Sequence, residues 1–281
     1  MKCKTAATLP CQEPMRKQKT PMPNQPAKLI MLCVLAATGT ACQHRPKAED
    51  SPAKTGLMLS VPAVADLPEL IARAKAQGLE VLQPTAGLRV DLRYAGPRNR
   101  SGRAFYPPNL PCLLHQGTKA RLDRVLIKLK AQGLGLLIWD AWRPSEVQET
   151  LYAATAGSGL FLNPKRGWSR HCAGVSLDAT LTDAQGRPLP MPCDFDGDLA
   201  LASSLHPPAD PQQAQNLWVL HQAMRAEGLI PLPGEWWHFD DADYLYTPTP
   251  IVSAEQLGLR LTTPSGPAAS AAAPPAPAPG G

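Results

Sequence analysis

Two short segments of this chain contain side chains of the types and spacing found in hydrolytic metal centres. His171 and Asp178 lie seven residues apart, with Gly174 between them, and imidazole and carboxylate groups suit a divalent metal such as zinc. His238 adds a second imidazole, and Glu235 stands three residues before it. Three ligands, an open position for water and a free carboxylate are the parts of a catalytic zinc site. The sequence therefore predicts such a centre.

The elements around these residues must bring them together. After His171 the chain alternates between apolar and polar residues, which predicts a strand with Asp178 on its polar face. A turn at 173–174 would carry His171 back over the start of that strand, beside Asp178. In an extended segment Glu235 and His238 would point to opposite sides, so we expect a kink or twist between them.

Simpler interpretations of these residues exist. A histidine and an aspartate at this spacing usually form a surface ion pair, and only the second imidazole with its neighbouring glutamate favours a metal site. Ser169, His171 and Asp178 could form a catalytic triad, but the sequence has no Gly-x-Ser-x-Gly motif and the three residues are close together for triad geometry. Cys172 is expected to point into packing.

The net charge of +5 is concentrated at the amino end of the chain. Residues 1–41 contain six lysine or arginine residues and one glutamate, so residues 42–281 are neutral overall. The rest of the chain therefore gives no support to nucleic-acid binding. The basic segment runs into the apolar residues 29–37 and then into small residues, which is the pattern of an export signal.

The small residues before Cys42 are similar to a bacterial lipoprotein processing site. That similarity predicts a lipid on Cys42 and attachment to a membrane, and an ordinary secretory signal cut nearby is the alternative. We therefore expect an exported protein of the periplasm or cell envelope, anchored through its lipid.

Composition divides the chain into four parts. They are an export leader at 1–42, a linker at 43–60, a catalytic domain at 61–262 and a Pro/Ala-rich disordered tail at 263–281. In an oxidising compartment the domain could form one disulfide and keep one free thiol, with three possible pairings of Cys112, Cys172 and Cys193.

Hydrophobic spacing and turn residues predict the main elements of the domain. Helices are expected at 66–78, 118–132, 145–154 and 211–227, and clear strands at 88–94 and 134–140. Ser145 is expected to cap the third helix. Because no strand–helix–strand rhythm is present, we predict a single α+β domain with a small, mostly antiparallel sheet and packed helices on one side.

Arg143 directly follows the buried strand at 134–140 and precedes Pro144. An arginine in that position is well placed to enter a cleft. A salt bridge to Asp140 across the turn is the alternative.

Five motifs occur in order along residues 80–240. They are Asp91-Leu92-Arg93-Tyr94-Ala95, the stretch 135–144 that ends in Trp139-Asp140-Ala141-Trp142-Arg143-Pro144, Ser169-x-His171-x-x-Gly174-x-x-x-Asp178, Phe195-Asp196 and Glu235-Trp236-Trp237-His238. Together they resemble the zinc D-alanyl-D-alanine dipeptidases of the VanX type.

This resemblance implies a role for each of eight residues. The zinc ligands of the family, for one ion per chain, are matched by His171, Asp178 and His238. The catalytic base is matched by Glu235, and the arginine that stabilises the transition state by Arg143. Positions that line the dipeptide pocket are matched by Tyr94, Ser169 and Asp196, the last of which, ionised at neutral pH, would hold the substrate's amino end.

The implied reaction is hydrolysis of D-alanyl-D-alanine by a metal-activated water, with a small D-amino-acid dipeptide as substrate. One alternative is a D,D- or L,D-carboxypeptidase that acts on cell-wall peptides with the same zinc site. Another is a non-catalytic envelope protein that binds zinc. The presence of both Glu235 and Arg143 favours an enzyme, because binding alone needs neither.

Overall fold

The computed structural model describes residues 63–155, 158–206 and 208–261. The predicted leader with Cys42, the linker at 43–60 and the tail at 263–281 lie outside these residues. Among the helices that are described, none is both long and apolar enough to cross a membrane.

Four helices and seven strands form the described part of the chain. The helices are α1 (Leu67–Ala76), α2 (Gln116–Lys130), α3 (Ser145–Ala154) and α4 (Pro211–Arg225). The strands are β1 (Leu79–Val81), β2 (Leu88–Val90), β3 (Leu113–His115), β4 (Leu134–Asp140), β5 (Ser176–Asp183), β6 (Leu229–Leu232) and β7 (Glu235–Asp241).

The central sheet has five strands in the order β2-β4-β5-β7-β6. The β2–β4 pair is parallel and the other three pairs are antiparallel, while β1 and β3 form a separate antiparallel pair. Helices α2 and α4 contact each other and strands of the central sheet. The predicted α+β domain with a mostly antiparallel sheet is therefore confirmed.

The helix predictions hold to within two residues at each end. Helix α2 begins two residues early because the His115 side chain accepts a hydrogen bond from the amide of Gly117 at 3.3 Å and so acts as its cap. The prediction that Ser145 caps α3 is wrong. Pro144 occupies the cap position without a side-chain bond, and the Ser145 hydroxyl donates to Glu146.

The strand predicted at 88–94 is wrong beyond Val90. The chain instead makes a 3₁₀ turn over Arg93–Ala95, which places the Tyr94 side chain in the core. The carbonyl of Tyr94 then accepts hydrogen bonds from the amides of Phe105 and Tyr106. Those partners are distant in sequence, so alternation alone extends the strand too far. The strand predicted at 134–140 is confirmed as β4.

Strand β5 places polar side chains in the interior of the domain. Its residues alternate, so Ser176 and Asp178 share one face and Leu177 and Ala179 share the other, and all four are buried. The predicted alternation is therefore confirmed, and it leaves a polar face inside the protein.

Cys112, Cys172 and Cys193 are all free thiols, so no disulfide forms among the described residues.

Candidate active site

The predicted metal ligands meet on the polar faces of two neighbouring strands. Asp178 of β5 lies directly opposite His238 of β7 in the antiparallel register. Oδ1 of Asp178 lies 3.0 Å from Nδ1 of His238 and 3.4 Å from Nε2 of His171, and those two nitrogens are 3.1 Å apart. All three residues are buried. Sheet register thus brings two of the three together, and a turn supplies the third.

His171 reaches this pair from a 3₁₀ turn, Arg170–Ala173. The turn begins at Ser169, whose hydroxyl accepts a hydrogen bond from the amide of His171 at 3.3 Å. It ends at Gly174, whose φ of 67° lies in the left-handed region. A Cβ there would also lie 2.6 Å from Leu79 Cδ2 and 3.2 Å from the amide nitrogen of His115, so the position favours glycine. The predicted turn at 173–174 is confirmed.

Hydrogen bonding determines which imidazole nitrogens face the centre. Nδ1 of His171 lies 2.7 Å from the carbonyl oxygen of Ala141, and Nε2 of His238 lies 3.0 Å from Oδ1 of Asp240, so both nitrogens must bear protons. In the neutral tautomers the other two nitrogens are lone-pair acceptors. They converge on a carboxylate oxygen of Asp178. Three acceptors so close together need a cation between them, which can be a proton on Nδ1 of His238 or a metal ion.

The donor set fits zinc. Tetrahedral coordination with bonds of about 2.0–2.2 Å puts ligand atoms about 3.3–3.6 Å apart, and here the three atoms are 3.0 to 3.4 Å apart. Burial lowers the pKa of His238, but hydrogen bonds with Asp178 and Asp240 outweigh it, and the pKa stands well above its ordinary value. The site therefore favours positive charge, and two imidazoles with one carboxylate leave a fourth position open.

Glu235 and His238 share one cavity because β7 is irregular. Pro231 of β6 opposes Phe239, whereas the next residue, Leu232, opposes Glu235. The register shift leaves 236–238 without partners on β6, and the amide of Trp236 bonds to the carbonyl of Ala202 instead. Such an irregularity redirects side chains that strict alternation would keep apart. The expected kink is confirmed.

The cavity has a volume of about 240 Å³. Five of the eight predicted site residues lie in its wall, namely Arg143, Ser169, His171, Glu235 and His238. Glu235 is half-buried. Burial raises the pKa of its carboxylate, and the positive charge of a protonated His238 opposes that rise. A carboxylate beside a candidate metal site can act as a general base.

Both interpretations of Arg143 hold, since it bonds Asp140 and also lines the cavity. Its Nε and one Nη donate to Oδ2 of Asp140 at 3.0 and 2.7 Å, and the other Nη donates to Gln148 Oε1 at 2.7 Å. The guanidinium also lies 5.0 Å from the ring centre of Tyr94. A guanidinium has five N–H groups. These bonds use three, and within the described part of the chain the other two have no hydrogen-bond partner.

Tyr94 and Asp196 lie outside the wall of this cavity, which differs from the expected pocket. The carboxylate of Asp196 accepts hydrogen bonds from the Tyr94 hydroxyl at 3.0 Å and from the amide of Arg100 at 3.2 Å. Burial raises its pKa to about 7. Asp196 is therefore only partly ionised at neutral pH, where full ionisation was expected. Its φ of 53° is also unusual for a residue other than glycine.

Three supporting residues escaped prediction: Tyr106, Gln148 and Asp240. The Tyr106 hydroxyl donates to Oδ1 of Asp140 at 2.6 Å, and Asp240 holds the ring of His238. Asp240 could have been found, because residues two apart on a strand share a face. Tyr106 and Gln148 had no comparable signal, since only tertiary contacts bring them to the site.

Comparison with known proteins agrees with this geometry. Residues 75–254 match the model of the peptidase M15 family, described as D-ala-D-ala dipeptidase. This chain belongs to the peptidase M15 family. It is therefore a peptidase, and both the family description and its relatives are named for D-Ala-D-Ala dipeptidase activity. The non-catalytic alternative therefore loses its support.

Two relatives of this M15 peptidase carry the same description. It is 32% identical to the D-alanyl-D-alanine dipeptidase of Escherichia coli (strain K12), over 54% of this chain and 78% of the relative. It is 27% identical to the D-alanyl-D-alanine dipeptidase of Synechocystis sp. (strain ATCC 27184 / PCC 6803 / Kazusa), over 70% of this chain and 90% of the relative.

A solved structure was also found to be similar. It is the crystal structure of a mutant of the vancomycin resistance D,D-pentapeptidase VanY in complex with Zn(II). The identity is 14% and the TM-score 0.32, over 48% of this chain and 75% of that chain. A likeness of this size is too weak to support an argument.

Proposed function

We propose that this M15 peptidase hydrolyses D-alanyl-D-alanine with one zinc ion per chain. The proposed ligands are His171, Asp178 and His238. One observation carries the proposal, namely that two imidazole nitrogens and one carboxylate oxygen converge beside a cavity that Glu235 and Arg143 also line. The cavity volume of about 240 Å³ favours a short substrate, since pockets for drug-sized ligands start at about 300 Å³.

Zinc at this site would lower the pKa of a bound water towards about 7, which makes a nucleophile available near neutral pH. Glu235 would take a proton from the attacking water and then deliver it to the leaving amine. Its position in the cavity wall together with His171 and His238 supports this role.

Arg143 would oppose the negative charge that develops on the carbonyl oxygen of the scissile peptide. Its two remaining N–H groups and its position in the cavity wall support the role. Asp140 and Gln148 hold the guanidinium by three hydrogen bonds, so little reorganisation is needed during the reaction.

Asp196 would bind the free amino end of the substrate, and Tyr94 and Ser169 would make further contacts with it. The support is electrostatic, since Asp196 is a buried carboxylate that forms no ion pair within the described part of the chain. An ammonium group would supply the missing charge. Asp196 lies outside the cavity wall, but it accepts a hydrogen bond from Tyr94, whose ring lies against the Arg143 guanidinium of that wall.

A second candidate is a D,D- or L,D-carboxypeptidase that acts on longer cell-wall peptides. A groove of about 470 Å³ favours it, because this groove shares wall residues with the catalytic cavity. The shared residues are Leu162, Trp168, Ser169 and Arg170. A peptide longer than two residues could continue from the cavity into this groove.

A peptide panel tests the proposal and separates the two candidates. Zinc-loaded protein would be incubated with D-Ala-D-Ala, its N-acetyl form, a tripeptide that ends in D-Ala-D-Ala, and L-Ala-L-Ala. We expect the free D,D-dipeptide to be cleaved best. Faster cleavage of the tripeptide would favour the carboxypeptidase, and no cleavage of any D,D-peptide would refute both. Glu235→Gln, purified in parallel, controls for contaminating peptidases.

We also propose that the protein is exported and held at the cell envelope by a lipid on Cys42. The order of basic, apolar and small residues before that cysteine supports the proposal. An envelope location would place the enzyme near cell-wall peptides.

A further inference from the structure

Asp240 supports the ring of His238 from the side away from the metal centre. On β5 and β7, Asp178 opposes His238, and two residues further along Ser176 opposes Asp240. These two pairs lie on the same face of the sheet. The proposed ligands are thus followed directly by a pair of polar residues that is buried as well.

Three donors from three segments hold the carboxylate of Asp240. Oδ1 accepts from the Ser176 hydroxyl at 2.5 Å and lies 3.0 Å from Nε2 of His238. Oδ2 accepts from Arg170 at 3.1 Å. Because two donors contact Oδ1 and the third contacts Oδ2, both oxygens of the carboxylate are held in place beside the imidazole.

Arg170 connects this cluster to the rest of the site. Its guanidinium also donates to the backbone carbonyls of Tyr244 and Leu245, at 3.4 and 2.8 Å. Arg170 directly precedes His171, so one 3₁₀ turn supplies both a proposed ligand and the cation that fixes Asp240. Arg170 thereby joins the turn both to Asp240 of β7 and to the segment that follows this strand.

We propose that Asp240 is a positioning residue that sets the zinc affinity of this site. Its carboxylate keeps the proton of His238 on Nε2, orients the ring and strengthens Nδ1 as a ligand. Ser176 and Arg170 hold the carboxylate in place. This inference rests on the proposed zinc site, but it requires no particular substrate.

The next residue provides a matched control. Asp241 is also a buried aspartate of β7, but it faces the opposite way and accepts a hydrogen bond from the Thr118 hydroxyl at 2.8 Å. It also forms an ion pair with Arg121 at 3.1 Å. The same Asp-to-Asn change at 240 or 241 therefore removes one buried charge from the same strand, and only the first touches a proposed ligand.

The test is competition for zinc between the full-length protein and a chromophoric chelator. Asp240→Asn should lower zinc affinity about 10- to 100-fold, the usual effect of losing such a partner. Ser176→Ala should cause a smaller loss, because it removes one of the three donors. Asp241→Asn should keep the wild-type affinity and lose only stability against urea. In long-range ¹H–¹⁵N spectra, wild type and Asp241→Asn should both give the signals of a His238 imidazole that carries its proton on Nε2.

Unchanged zinc affinity in Asp240→Asn would overturn the proposal. An equal loss of affinity in Asp241→Asn would also overturn it, because general loosening of β7 would then explain both results. A different result would refute the proposed function, namely a wild-type protein that binds zinc but cleaves no D,D-peptide. That outcome would leave the role of Asp240 intact.

Discussion

Asp196→Asn should stabilise the protein, and the gain should grow with pH. Asp196 is buried, and its only described hydrogen bonds come from the neutral hydroxyl of Tyr94 and the amide of Arg100. Burial raises its pKa from 3.8 to about 7. Asparagine has nearly the same shape, tolerates a φ of 53° and cannot ionise.

The magnitude follows from proton linkage. Because the folded pKa is raised, the folded protein binds this proton more tightly than the unfolded chain does. At pH values below the pKa in the unfolded chain, the carboxyl group therefore lowers the free energy of unfolding only slightly. The reduction grows as pH rises and reaches its maximum above the pKa in the folded protein. With the pKa raised from 3.8 to about 7, the cost is about 2 kcal/mol at about pH 5 and about 4 kcal/mol at about pH 8.

The assay is urea unfolding of the zinc-free protein at both pH values, with equal m-values required for the comparison. Asp183→Asn is the control, because Asp183 lies near the surface and hydrogen bonds with Arg187 lower its pKa. That change should bring no gain at either pH. If Asp196→Asn gives the same gain at both pH values, or destabilises the protein at about pH 8, then Asp196 is ionised and paired in the folded protein and the reasoning fails.

Four further predictions concern the reaction and the location. Wild type should cleave free D-Ala-D-Ala roughly tenfold to a hundredfold better than its N-acetyl form, and Asp196→Ala should shrink that preference in kcat/KM; equal cleavage by wild type would contradict the role. Glu235→Gln should keep its zinc by elemental analysis but lose roughly 10²–10⁴ of the rate, whereas loss of zinc would make Glu235 a ligand. His238→Ala should lose bound zinc and activity together, and retention of both would exclude the site. Cys42→Ser should move the protein from the membrane fraction to the soluble one, and an unchanged distribution would contradict a lipid anchor.

Local patterns made much of this site predictable. Alternation after His171 placed Asp178 on the correct face of β5, and the turn at Gly174 followed from residue types alone. Strand β4 and helix α3 were predicted at their observed bounds, because a buried apolar run and a helical pattern are separated there by Pro144. Such features depend on neighbours in sequence.

Features that depend on distant neighbours were harder to predict. The sequence indicated that β7 must bend, but only the shift in its pairing with β6 explains how Glu235 and His238 share a cavity. The 3₁₀ turn that buries Tyr94 forms where the predicted strand would continue. The raised pKa of Asp196 arises from burial, which residue type alone does not reveal.

Four buried aspartates surround the site, and their partners differ in one informative way. Asp140 and Asp240 each pair with an arginine, and Asp178 faces the two imidazoles where zinc is proposed to bind. Asp196, by contrast, forms no ion pair in the part of the chain that the structure describes. A buried carboxylate without a cation costs stability, and such a cost is typical of sites where a ligand completes the charge balance. The ammonium group of a free dipeptide is such a ligand, so the residue that we predict to weaken the fold above neutral pH is also the one that we propose to bind the substrate's amino end.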